Sequence, residues 1–183
     1  MPVLILMKIA SYFNTHIDSF LEGVSPEEIH PSHSNVLSKD TLKRPQILVL
    51  EDDPSDQYMI KKTVEDFQIQ VDLRFFTTVE SALLFLHHQN DSAHIFDLML
   101  VDVNLPGDSG VDFIKTIRKN KKYALTPLIV FTSDNSRSTL EMVTKIGASS
   151  YIVKNHKPKE MSEMLLQIFT YWCQTSYLCS RIR

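Results

Sequence analysis

From Gln46 onward, short apolar runs alternate with longer segments in which apolar residues recur every three or four positions. The runs at 46–50 ("QILVL"), 71–76, 98–103, 127–132 and 150–153 are rich in leucine and β-branched residues, as strands covered on both faces are. The segments between them, at 55–67, 79–88, 110–120, 137–146 and 158–176, carry the helical period. Five β-α units in about 130 residues predict an α/β fold, a doubly wound five-stranded parallel sheet with helices on both faces and right-handed crossovers. In such a sheet the functional crevice lies beyond the carboxyl ends of the strands.

Ahead of this pattern, Ile9, Tyr12, Phe13, Ile17, Phe20, Leu21 and Val24 recur at helical spacing with polar residues between them, and Gly23 offers a stop. Residues 1–24 therefore read as one amphipathic helix, docked either on the protein's own main domain or on a second subunit or partner. Its polar face lacks the basic richness of a membrane-surface helix. Residues 25–45, polar and punctuated by Pro26, Pro31 and Pro45, read as a linker. His30 and His33 lie within it as an isolated pair without further ligands. The main domain is expected over 46–176, with a tail at 177–183.

Composition adds exclusions. A chain of 183 residues with a 43% hydrophobic fraction suits one domain plus an appendage. The net charge of −3 offers no basic patch, so no nucleic-acid partner is expected. Cys173 and Cys179 fit no zinc or redox spacing. No apolar run reaches the roughly 18 residues of a membrane span, and "MPVLIL" lacks the flanks of a signal peptide. A cytoplasmic protein without a membrane partner is expected.

The chemistry gathers at the strand ends. Glu51 and Asp52 follow the first strand, Asp102 the third, Thr132, Ser133 and Asp134 the fourth, and Lys154 the fifth. If strands one, three, four and five are neighbours, Glu51, Asp52, Asp102, Thr132 and Lys154 surround one cleft. Three carboxylates repel one another unless a cation joins them, and a site rich in oxygen with few protein ligands suits Mg²⁺. A lysine ammonium and a threonine hydroxyl suit a phosphoryl group, and a carboxylate is a competent nucleophile toward one. Asp102, placed at the mouth of an apolar strand, would then be the acceptor. Simpler readings stand beside each residue taken alone. Asp53, before Pro54, reads as a helix cap with Asp56 as a first-turn acid. Thr132, Ser133 or Asp134 is available to cap the fourth helix, Asp102 to shape a turn, and Lys154 to lie on the surface.

Over residues 46 to about 172 the sequence resembles the response-regulator receiver domain, the CheY-like family. "ILVLEDD" resembles the first strand with its acidic pair, "LMLVDVNLPGDSG" the phosphoacceptor strand and loop, "PLIVFTS" the switch strand and "GASSYIVK" the fifth strand. The resemblance implies a flavodoxin-like sheet of order 2-1-3-4-5, with Asp102 as phosphoacceptor and Glu51, Asp52, Asp102 and the carbonyl of Asn104 around Mg²⁺. It implies Thr132 and Tyr151 as switch residues, Lys154 as the lysine that meets the phosphoryl group, and Asn104 and Asp134 as positions that tune its lifetime. Pro106 and Gly110 match the loop after the acceptor. A sensor histidine kinase or histidine phosphotransfer protein would supply the phosphoryl group, and an unknown downstream protein would read the result. "ESALLFLHH", "NLPGDSG", "FTSD" and the late "YW" resemble the small single-domain regulators that work with phytochrome-type sensor kinases, and no output domain is expected.

In one place the chain departs from the family. Asn155 follows Lys154 where a proline, often cis, is usual, so this loop is expected to be either trans or strained. That departure and the N-terminal helix motivate a second reading, a phosphate-independent interaction module on the same fold. A hydrolase with an aspartate nucleophile is disfavoured, because the position two residues after Asp102 is Asn104 and not an acid. Tyr171, Trp172, Tyr177 and Leu178 make the last helix more apolar than one sheet face needs, through core packing or a homodimer face.

Overall fold

The computed structural model describes residues 44–89, 96–107 and 109–175. The amphipathic segment and nearly all of the linker expected before Gln46 lie outside these residues, as do His30, His33, Tyr177, Leu178 and Cys179. Five strands, β1 (Gln46–Leu50), β2 (Asp72–Phe76), β3 (Leu98–Val101), β4 (Leu128–Thr132) and β5 (Ser150–Val153), form one parallel sheet in the order β2-β1-β3-β4-β5. Between and after them run α1 (Pro54–Asp66), α2 (Val79–His88), α3 (Gly110–Lys119), α4 (Arg137–Lys145) and α5 (Pro158–Phe169).

The sheet is covered on both faces, and alternate residues of each strand feed opposite layers. Leu48, Leu50, Met99, Val101, Leu128 and Val130 face the layer built by α2, α3 and Val143 of α4. Ile47, Val49, Leu98, Leu100, Ile129 and Phe131 face the layer built by Ile60 of α1 and by Met161, Leu165, Ile168 and Phe169 of α5. Within the second layer the Thr63 hydroxyl donates to Met59 O at 2.8 Å and meets Ser162 Oγ at 3.2 Å, which ties α1 to α5. Such complete burial explains why β1, β3 and β4 lack a period-two pattern. The edge strand β2 is only partly buried. No described helix is long and apolar enough to cross a membrane.

Besides shifts of a single residue at several ends, the structure changes three boundaries that matter here. β3 ends at Val101, so Asp102 stands just past the strand and Val103, still buried, belongs to the loop. α1 begins at Pro54, whose fixed φ and missing N–H suit a first helical position. The last helix is α-helical only to Phe169 and continues as a π-helical segment, Thr170–Thr175. There Trp172 packs against the second layer and Cys173 is buried, while Tyr171 is 56% exposed. The described aromatic surplus thus splits between core and surface.

One cation organises the end of the sheet opposite the strand termini of interest. Arg118 Nε donates to Gly147 O at 2.7 Å, and its Nη1 donates to Ala124 O at 3.1 Å and Thr126 O at 2.9 Å. These bonds join the end of α3, the loop into β4 and the turn before β5. Arg118→Ala leaves three carbonyls, two of them part-buried, without this donor. We expect a loss of about 2–3 kcal/mol in urea unfolding, since hydrogen bonds to charged groups each contribute ~1.5–3 kcal/mol and water recovers part of it. A change within experimental error would show that water replaces the guanidinium fully.

Candidate functional site

The parallel ladder extends one residue past the strands on the carboxyl side. Glu51 N donates to Phe76 O at 2.9 Å, Asp102 N to Leu50 O at 2.9 Å and Lys154 N to Thr132 O at 2.8 Å. Glu51, Asp102 and Lys154 are therefore fixed by main-chain bonds at the tops of three strands. The α3 start presses on the same place. A Cβ on Gly110 would lie 2.7 Å from Val103 Cα and nearer still to Asp102 O, so only glycine lets the helix approach the loop after β3 this closely.

At the centre the Lys154 ammonium donates to Glu51 Oε2 at 2.6 Å, Asp102 Oδ2 at 2.6 Å and Asp56 Oδ2 at 2.7 Å. The side chains of Lys154, Glu51 and Asp102 are 4%, 2% and 7% exposed, which makes this a buried ion pair and rules out the surface-lysine reading. Burial pushes the Glu51 carboxyl up to about 7 even though the Lys154 charge pulls it down. Burial alone would lower the Lys154 pKa. The Glu51 charge and the hydrogen bonds to Asp102, Asp56 and Glu51 outweigh it, and the ammonium is held above its ordinary range. Asp52 is partly exposed and its carboxylate has no hydrogen bond or ion pair among the described residues.

A second chain of contacts leads away from Asp102. Asn104 N donates to Asp102 Oδ1 at 2.9 Å, so Asp102 is a turn aspartate as well as an ion-pair member. The Asn104 amide reaches Thr132 Oγ1 at 3.4 Å, and Asp134 N reaches the same oxygen at 3.3 Å. Thr132 is fully buried. Asp134 O in turn accepts from the Tyr151 hydroxyl at 2.6 Å. Burial, reinforced by the Asp134 and Asp102 charges, raises the Tyr151 pKa. Asp102, Asn104, Thr132, Asp134 and Tyr151 thus form one connected path across β3, β4 and β5.

The cap of α4 is a correction. Ser136, and none of Thr132, Ser133 or Asp134, is its N-cap, accepting from Thr139 N at 3.3 Å. The Asp134 carboxylate braces that cap, accepting from the Thr139 hydroxyl at 2.6 Å and from Ser136 N at 2.7 Å, and these bonds hold its pKa low. Asp53 is the α1 cap as expected, accepting from Ser55 N at 2.7 Å and Asp56 N at 3.1 Å. Every described peptide bond is trans, including Lys154–Asn155. Asn155 stabilises its loop with side-chain bonds, accepting from Lys157 N at 2.9 Å and donating to Glu160 Oε2 at 2.5 Å. Lys154 reaches the cleft without a proline after it.

Asp56 is the site residue that sequence reasoning missed, because a first-turn acid already had a sufficient local explanation. Helical spacing gave no signal for it, because α1 begins at Pro54 and neither Glu51 nor Asp52 lies on the helix.

A family model described as the response regulator receiver domain matches residues 47–166, well over half of the 183-residue chain. The chain belongs to the response regulator receiver domain family. Among curated relatives, chemotaxis protein CheY of Pseudomonas aeruginosa is 26% identical over 129 residues, 68% of this chain and 95% of that protein. Response regulator Rcp1 of Synechocystis sp. is 23% identical over 131 residues, 70% of this chain and 89% of that protein. Among solved structures, the Mn²⁺-bound form of response regulator Rcp1 superposes with a TM-score of 0.68 at 23% identity, covering 73% of this chain and 98% of that one. The phosphorylated cyanobacterial phytochrome response regulator RcpA gives 0.70 at 19% identity, covering 75% and 99%. These structural likenesses carry the receiver fold to this chain.

The donor set of the receiver cleft fits a hard divalent cation. Three carboxylates (Glu51, Asp56 and Asp102) meet around a single ammonium, and Asp52 follows Glu51 in the chain, an acid excess that a cation relieves. Among the described residues no three carboxylate, imidazole or thiolate side chains converge on one point that an ion would fill. Lys154 occupies the space between Glu51 and Asp102. Mg²⁺ does not need such a cage, because it keeps several waters and takes one or two carboxylates.

Proposed function

We propose that this receiver domain accepts a phosphoryl group on Asp102 in a Mg²⁺-dependent reaction and signals through a phosphorylation-controlled protein contact. The donor is a sensor histidine kinase or a histidine phosphotransfer protein, and the setting is a two-component system or phosphorelay in the cytoplasm. The observation that carries the reading is the buried Lys154 ammonium joined to Asp102 inside an excess of carboxylates. No structural need of the fold explains an acid excess at the open end of the sheet.

Glu51, Asp52, Asp102 and the Asn104 carbonyl would hold Mg²⁺, whose charge would offset the carboxylates and the oxygens of an incoming phosphoryl group. Asp102 Oδ1 is oriented by Asn104 N and Oδ2 by Lys154, so the nucleophile is held in one rotamer before a donor arrives. Lys154 offers a positive charge to the transferring group, and the Thr132 hydroxyl a hydrogen bond. In the resting arrangement Thr132 is engaged by Asn104 and Asp134. Drawing Thr132 toward a phosphoryl oxygen disturbs Asp134 and, through its carbonyl, the Tyr151 hydroxyl. The surface of α4 and β5 is the readout, a two-state shift biased by a new charge. The domain acts only on itself, by phosphotransfer and by loss of its own phosphoryl group.

Phosphoramidate, whose P–N bond resembles that of a phosphohistidine, tests the chemistry without the unknown kinase. With Mg²⁺ present, ³¹P NMR should show an acyl-phosphate signal on the protein that disappears with hydroxylamine. A folded, metal-supplied sample that shows no such signal would overturn the reading in favour of a phosphate-independent module.

A further inference from the structure

An ammonium has three N–H bonds, and in Lys154 all three are taken by carboxylates, those of Glu51, Asp102 and Asp56. A phosphoryl group arriving at Asp102 brings oxygens that need a cationic donor. Lys154 can serve them only by leaving one of its present partners. The partners differ in how easily they are left. Until an Asp102 oxygen is bonded to phosphorus, the Glu51 and Asp102 side chains, 2% and 7% exposed, would each become a buried carboxylate without its counter-charge if Lys154 left it as the donor docks. The Asp56 side chain is 25% exposed, and water can take the place of the ammonium there.

We propose that Asp56 is a positioning residue that holds Lys154 in the resting protein and gives it up to the phosphoryl group. Its charge then sets how readily an anionic phosphodonor is accepted. The inference rests on the reading of Asp102 as acceptor and adds to it a residue that governs Lys154. In the step, an Asp102 carboxylate oxygen forms a bond to phosphorus. The bond from phosphorus to the donor's oxygen or nitrogen breaks, and the leaving group keeps the electron pair. Lys154 retains its three protons and redirects one N–H from Asp56 to a phosphoryl oxygen. Removing the Asp56 charge should help in two ways, by leaving Lys154 a disengaged donor and by lowering the repulsion felt by a dianionic donor. A purely structural role, as an acid in the first turn of α1, predicts a change in stability and none in donor affinity.

The test is the rate of Asp102 phosphorylation against acetyl phosphate concentration, at fixed saturating Mg²⁺, in the wild-type protein, Asp56→Asn and Asp56→Ala. In both variants the half-saturating concentration should fall by about threefold to tenfold, the effect of one partly screened unit charge a few ångströms away, while the maximal rate changes less. An unchanged or higher half-saturating concentration in the variants, with a wild-type protein that reacts, would overturn the role of Asp56 and leave Asp102 as acceptor. A wild-type protein that does not react would overturn the acceptor reading and this inference together.

Discussion

Asp102→Asn should form no phosphoryl adduct with acetyl phosphate and Mg²⁺ under conditions that load the wild-type protein, a loss to below detection by intact mass. Asparagine keeps the shape of the side chain and can still accept from Asn104 N through its oxygen, so the loop geometry survives. It lacks the anionic oxygen that attacks phosphorus. The same substitution removes one charge from a cleft where three carboxylates share one ammonium, and Lys154 keeps Glu51 and Asp56 as partners. The urea midpoint of the variant should therefore be no lower than that of the wild type. A variant that loses both the adduct and its fold would leave the chemistry unaddressed by this substitution. A stable variant that still takes up phosphoryl would place the acceptor elsewhere.

Lys154→Met should be the second large effect, on rate and on stability. Removing one preorganised donor from a developing charge typically slows a reaction by about 10²–10³-fold, and phosphorylation by acetyl phosphate should slow by that order. The stability effect depends on pH, with a sign set by Glu51. Its carboxyl is raised from 4.5 to about 7 by burial, so the folded state holds that proton more tightly than the unfolded chain does. The contribution of this group is full below about 4.5 and is lost as pH rises through about 7. Without Lys154 the ionised Glu51 has no counter-charge, and breaking a buried pair in this way costs about 3–5 kcal/mol. The variant's deficit in urea unfolding should therefore be larger at pH 8 than at pH 5. An equal deficit at both pH values would show that Glu51 is not the carboxylate that depends on Lys154.

The legibility of this chain followed how many constraints each segment had to satisfy. β1, β3 and β4 are covered on both faces, and that demand leaves an apolar run that no other element imitates at this length. Glu51 and Asp102 stood out because they directly follow such runs, Thr132 because it closes one, and Lys154 because it follows the fifth strand. Asp56 did not stand out, since its place in the first turn of α1 already accounted for an acid. Arg118 was silent for a similar reason. In the run from Arg118 to Lys122 its charge looks like that of its neighbours, and only the folded chain shows carbonyls converging on it. The cap of α4 was misplaced by two residues or more because several consecutive residues had capping side chains, and the choice among them is made by how β4 delivers the chain. Asn155 stands where the family usually has a proline, and its loop, expected to be trans or strained, is trans. Its side-chain bonds to Lys157 and Glu160 show a different way of making the same loop. Nothing in the sequence signals the π-helical turn after Phe169.

The most direct measurement is the intact mass of the full chain after incubation with acetyl phosphate, with and without Mg²⁺. With the metal the mass should rise by a single phosphoryl group, and without it not at all. An adduct that forms equally well in the presence of a chelator, or no adduct in a folded sample supplied with Mg²⁺, would show that the cleft is not a metal-dependent phosphoryl acceptor.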